Sequence, residues 1–269
     1  MSTAMIPRTL MRVVSWLTLA YLLLPLVVIV GSSLTRSEFL AFPPQGLTLR
    51  WYASMLHDGS YIDAFTTSTL LALAATALAL VLTIPTALAI SRYTFPGRAL
   101  LSALLMAPLI LPHIVLGAAL LQFGGYFGLT RSFLSLLIGH TVIVAPFVLR
   151  SVLAVITPEQ RALEEASADL GADPWTTFLL VVLPDLRPGI VVGAIFAFIS
   201  SWINVELSIF NTTASLNTIP VKLFNYVQYT IDPTIAAVSG ATIVASIAII
   251  ALLELTIGLD ILPGRKPSN

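Results

Sequence analysis

The 269-residue sequence contains no cysteine, and only 10% of it is charged. Without cysteine there is no disulfide framework, no thiolate zinc site and no thiol nucleophile, and the redox compartment leaves no trace. Lysine is almost missing too. A phosphate-binding loop needs Gly-Lys followed by Ser or Thr, whereas Lys222 follows Val221 and Lys266 follows Arg265. Nucleotide hydrolysis through such a loop is therefore excluded for this chain. Thirteen basic residues balance thirteen acidic ones, which leaves no basic footprint for nucleic acid. No nucleophile–base set stands out, and no low-complexity tract, long linker or internal repeat divides the chain. His113 and His140 fall on separate apolar runs without an acid at ligand spacing, a pattern of core histidines rather than of a metal site.

Apolar residues fill the space that charge leaves: 57% of the chain, with a mean hydropathy of +0.96. A hydrocarbon slab of ~30 Å needs about 20 apolar residues in a helix, and six runs meet that need: 12–33, 64–91, 99–123, 132–154, 189–210 and 234–258. The first follows Arg8 and Arg12, and its apolar stretch from Val13 to Val30 is longer than the about 7–15 residues of a cleavable signal, so it is expected to stay as a helix. The fold class expected is an all-α integral membrane protein with six transmembrane helices. An even number puts both termini on one side. The terminal side carries Arg8, Arg12, Arg92, Arg98, Arg150, Arg161, Arg187, Arg265 and Lys266, against Arg36, Arg50, Arg131 and Lys222 on the other. Basic residues stay inside, so both termini are expected in the cytoplasm.

Three regions follow. Residues 1–63 hold the first helix and an outer segment, anchored at the interface by Arg50-Trp51-Tyr52. Residues 64–258 form a five-helix core that includes a cytoplasmic loop, 155–188. Residues 259–269 are a cytoplasmic tail. Prolines 25, 85, 108, 112 and 146 lie inside spans, where neighbours in a bundle can satisfy the freed carbonyls. Pro108 and Pro112, within "MAPLILPHIVLG", make the third span the bent one.

The loop carries most of the acid in this part of the chain: Glu164, Glu165, Asp169 and Asp173 surround Gly171. Thr157-Pro158-Glu159-Gln160 reads as a helix start with a capping box. Gly171 supplies a left-handed stop. Asp173-Pro174 starts a second helix, with Pro184 expected to end it. Trp175, Phe178, Leu179 and Val182 fall at i, i+3, i+4 and i+7, one apolar face, while Glu165 and Asp169 make an acidic edge on the first helix. This pairing fits docking into a groove on another protein, and it equally fits packing on the protein's own bundle.

The segment resembles the cytoplasmic EAA loop of binding-protein-dependent ABC importer permeases: Glu165-Ala166-Ser167, three residues, Gly171, nine residues, Val181, Val182 and Leu183-Pro184. Ser stands for Ala and Val for Ile. "LTLRWY", "LPHIVLGAALL", "GHTVIVAPFVLRSV", "TIPVKLFNYVQY" and "DPTIAAVSGATI" resemble the polyamine branch of that family, the second of its two membrane subunits. The resemblance implies a permease of the bacterial or archaeal inner membrane in which Glu164, Glu165, Ala166, Asp169, Gly171, Trp175, Phe178 and Pro184 couple to an ATPase. It implies as partners a second homologous permease subunit, two ATPase subunits and an external solute-binding protein. This chain would bind no cofactor, with ATP and Mg held by the ATPase.

Glu206, in "SSWINVELSIF", is the one acid deep in an expected span, and an ionisable group there is a functional candidate by default. On a continuous helix Ser201, Asn204 and Ser208 share a face opposite Trp202 and Glu206. Either face could line a path, and the serines with Asn204 could also be hydrogen-bonding glue between helices. The polyamine branch usually has two acids where Ile203 and Asn204 stand; this chain has Glu206 two positions on. Glu254 is expected at the inner end of the last span. An ion-coupled secondary transporter would show several intramembrane acids and inverted repeats, and the sequence has one deep acid and no repeat.

Overall fold

A computed structural model describes residues 8–257 of the chain. The expected tail 259–269 and the side chain of Glu254 lie outside the described residues. Every named element is helical: α1 Arg8–Ser33, α2 Arg50–His57, α3 Gly59–Arg92, α4 Arg98–Met106, α5 His113–Phe127, α6 Phe133–Leu153, α7 Pro158–Asp169, α8 Pro174–Thr177, α9 Leu183–Trp202, α10 Ile219–Tyr229 and α11 Pro233–Ile257. Four helical stretches are long and apolar enough to cross a membrane, beginning at Thr9, Gly59, Phe133 and Pro174, and one bent pair could make a fifth.

The boundaries differ from the expectation where proline and polar side chains intervene. The third span is broken rather than bent. Pro108 sits in a 3-10 turn, Ala107–Leu109, and Pro112 precedes α5, so that α4 and α5 meet at 107°. Pro112 has no N–H to continue the ladder, and its ring excludes the preceding turn. The fifth span is displaced toward the N-terminus. It runs helically from Pro174 to Trp202 instead of 189–210, and residues 203–211 form turns. Between 211 and 233, α10 is a helix that hydropathy did not reveal.

The chain divides into two compact units, residues 8–62 with 223–245, and 63–222 with 246–257. In the first, the segment after α1 folds back through side chains. Trp51 Nε1 donates to Thr35 O at 2.8 Å, and the Ser33 and Tyr52 hydroxyls meet at 2.8 Å. The Arg50 guanidinium lies 4.3 Å above the Trp51 ring, so the expected anchor residues are tied to each other and to the end of α1.

In the second unit α6 and α9 pack antiparallel around Val144, Val148, Leu149, Val152, Leu186 and Ala197, all fully buried. Small residues every fourth position let the backbones approach. A Cβ added to Gly189 would stand 2.6 Å from Ser151 O, and one added to Gly193 would stand 3.1 Å from Val148 Cα. One further small residue in this series, Ser201, bonds His140 across the same interface.

Candidate functional site

The loop between α6 and α9 is built by local chemistry. Thr157 is extended before Pro158, and its N–H donates to Gln160 Oε1 at 3.4 Å, closing one side of the capping box. The far end of α7 is a Schellman motif: Gly171 N–H donates to Ala168 O at 2.9 Å and Ala172 N–H to Ser167 O at 3.1 Å, with Gly171 at φ +87°. Asp173 caps α8 by accepting from Trp175 N at 2.9 Å, Thr176 N at 3.2 Å and the Thr176 hydroxyl. The Thr176 bonds, then that from Trp175 N–H, stabilise the charged carboxylate and hold Asp173 below its usual range. Ser167 Oγ lies 3.0 Å from Thr177 Oγ1, fastening one helix to the other.

Pro184 does not end the second helix, which corrects the sequence expectation. Residues Phe178–Val182 widen into a π turn, with Leu183 N–H donating to Phe178 O, and α9 continues through Pro184. Proline lacks the N–H and its ring clashes with the carbonyl four residues back. A wider turn moves that carbonyl away, so the helix bends around proline instead of stopping. The same turn breaks the spacing that placed Trp175, Phe178, Leu179 and Val182 on one face. Val182 joins the core, Phe178 packs against it, and Trp175 is 66% exposed, stacked on Phe178 with centroids 5.6 Å apart.

The two adjacent glutamates face different ways. Glu164 is mostly shielded and paired with Arg92 at the end of α3. Glu165 is exposed and, among the described residues, pairs only with Arg161 of its own helix, at 3.4 Å. Ala166, Asp169, Gly171 and Pro184 are exposed as well, and Leu170 is 90% exposed. Glu165, Asp169, Leu170 and Trp175 thus form a polar and apolar surface with little cover from the unit itself.

The region after α9 does not follow the helical wheel. Ser201, Trp202, Asn204 and Ser208 are all buried, and Glu206 is exposed on a turn. His140 joins the serines: Nδ1 lies 2.7 Å from Ser201 Oγ and Nε2 2.9 Å from Ser208 Oγ. Asn204 Nδ2 lies 3.1 Å from His113 Nδ1, while its Oδ1 accepts Leu207 N–H at 2.9 Å. Asn211, which the sequence reading overlooked, donates to Gly117 O at 2.9 Å. Gly117 is required there, since a Cβ would stand 2.8 Å from Leu207 O. Trp202 is sealed between Phe198 and Phe65, with centroids at 5.8 and 6.4 Å, and its Nε1 has no hydrogen-bond partner among the described residues. The helix stops because Asn204 satisfies backbone and histidine at once, a competition with helix geometry that polar side chains commonly offer.

Apolar helices of membrane length and a broken span are those of a multi-pass membrane protein. Residues 79–261 match the family described as the binding-protein-dependent transport system inner membrane component. The chain belongs to that family, the ABC importer permeases. It is 28% identical over 236 residues to the spermidine/putrescine transport system permease protein PotC of Escherichia coli (strain K12), covering 88% of this chain and 89% of that protein. It is 30% identical over 274 residues to the probable sulfate transport system permease protein cysT of Nephroselmis olivacea, covering 93% and 89%. A crystal structure of a bacterial ABC transporter involved in the import of the acidic polysaccharide alginate shares the fold, with a TM-score of 0.67 at 17% identity over 95% of this chain and 98% of that one.

Proposed function

We propose that this chain is one of two membrane subunits lining the path of an ATP-driven importer for a small organic cation of the polyamine kind, such as spermidine or putrescine. It would cross the inner membrane of a bacterium or archaeon six times with both termini in the cytoplasm, α11 supplying the last span. A homologous permease, two ATPase subunits carrying ATP and Mg, and an external solute-binding protein complete the machine; the partner ATPases do the hydrolysis. The observation that carries the reading is the capped helix, Gly171 turn and second helix, with Glu165, Ala166, Asp169 and Trp175 turned outward. That surface fits a cleft on an ATPase. ATP-driven closure would draw the loops together and open the bundle outward, a shift that requires ATP to bind one state better than the other.

The cargo reading draws on the polyamine relatives, PotC and the putrescine transport system permease protein PotI of the same organism, which is 27% identical over 84% of this chain. It also draws on Glu206, an exposed carboxylate on an unwound stretch of an otherwise membrane-spanning helix, as broken spans at transport sites often provide. Trp202 is buried and contributes packing, not a cation–π contact; Ser201, Asn204 and Ser208 brace the turn that presents Glu206. The likeness to a sulfate permease supports a second reading, a small anion. Uptake of labelled spermidine, putrescine and sulfate by vesicles holding the complete transporter separates them. Spermidine or putrescine uptake that falls at least about tenfold in Glu206→Gln, as loss of a 1.4 kcal/mol interaction requires, supports the cationic path. Sulfate uptake by wild type overturns it, and unchanged amine uptake in the variant removes Glu206 from the route.

A further inference from the structure

The first helix of the proposed coupling loop carries two adjacent glutamates with opposite surroundings, and the inner one joins it to a span. Glu164 on α7 and Arg92, the last residue of α3, are 72 positions apart in sequence and form an ion pair with 19% and 22% of their side chains exposed. Arg161 and Glu165, by contrast, lie one turn apart on one helix and are 69% and 70% exposed. An exposed pair within a helix is screened and adds little. A shielded pair between elements keeps more of its attraction, and the cation also sits favourably at the C-terminal end of the α3 dipole.

The space around the pair is open. Two clefts of about 390 and 410 Å³ border it, each lined by Arg92, Arg161 and Glu164. The backbone of α7 packs on α8 and the π turn. Among the described residues the pair is the only ion pair that ties the loop to a membrane-length helix. Pro85 lies seven residues before Arg92 inside α3, a place where a pull at the helix end can be taken up as bending.

We propose that Arg92 is a positioning residue for coupling: its pair with Glu164 is a strut that carries displacement of α7 into α3, leaving Glu165 as the docking glutamate. The inference rests on the coupling role of the loop. The absence of native cysteine allows spin labels at Tyr93→Cys, whose N–H closes the last turn of α3 on Ala89 O at 3.1 Å, and at the exposed Ala162→Cys. The complex should carry no reactive cysteine on its other subunits. The strut predicts one narrow distance distribution that is the same in the nucleotide-free and the ATP–vanadate-trapped transporter. Arg92→Gln should broaden it and uncouple α7 from α3, with the ATPase subunits still co-purifying, and the exchange Arg92→Glu with Glu164→Arg should restore it. A distribution that shifts between states in the unaltered pair, that stays narrow in Arg92→Gln, or that the exchange leaves broad overturns the strut. Failure of the underlying loop reading is seen separately, as undiminished co-purification of the ATPase with Glu165→Arg.

Discussion

Single residues in this chain matter for two distinct physical reasons, and glycine separates them. Gly171 occupies φ +87° with nothing among the described residues within 4 Å of an added Cβ, so what a substitution meets there is conformation and not contact. Asparagine tolerates that region, while a β-branched residue does not. Gly171→Asn should therefore keep ATPase binding close to wild type, and Gly171→Val should lose it, as co-purification will report. Gly189 is helical, and its neighbour is the immovable Ser151 carbonyl at 2.6 Å. Gly189→Ala should cost about 1–3 kcal/mol by overpacking, visible as a lower melting temperature in detergent whatever the state of the ATPase. His140 belongs with the packing residues. It is fully buried, and His140→Leu would strand the Ser201 and Ser208 hydroxyls at about 1–3 kcal/mol each, again read by melting. Caps and the glycine stop were legible in the sequence because each is decided within four residues of chain. The partner of Glu164 was not, because nothing local distinguishes Glu164 from Glu165; Arg92 does, from 72 residues away.

At the scale of elements, periodicity located the helices and misjudged how they end. Hydropathy placed α1, α3 and α6 within a few residues, since each is an uninterrupted apolar run. It failed after Trp202, where "INVELSIF" holds neither glycine nor proline and the stop is made by Asn204, His113, His140 and Ser208 acting across elements. Asn204 and Ser208 were the available signal, as residues that compete with the backbone for hydrogen bonds. Proline misled in the opposite sense at 184, where a π turn absorbs it, and understated the break at 108 and 112, where two prolines four residues apart leave no ladder to bend. One consequence can be measured. Because α9 continues through Pro184, Pro184→Ala should leave the α8–α9 connection helical and the transporter assembled; loss of assembly would mean the proline is read directly by a partner.

For the whole molecule, family membership fixes the kind of machine, and the charge distribution predicts how it sits in the membrane. Cysteines placed singly at Asp173 and Ser215 test that orientation in intact cells with an impermeant reagent: the positive-inside count predicts reaction at Ser215 alone, and labelling at Asp173 would reverse the topology. With the loop inside, as proposed, its outward residues are the proposed contact with the ATPase. Reversing one partner of a docked charge pair costs about 2–5 kcal/mol, which weakens binding by roughly thirtyfold or more. The most direct test of the coupling account is ATP hydrolysis in membranes holding the permease subunits, with the ATPase subunits and the solute-binding protein added in excess, comparing wild type with Glu165→Arg and Gly171→Val while both variants remain inserted. The account predicts that stimulation by the binding protein disappears in both; full stimulation in both would contradict it and reduce the loop to a structural connection.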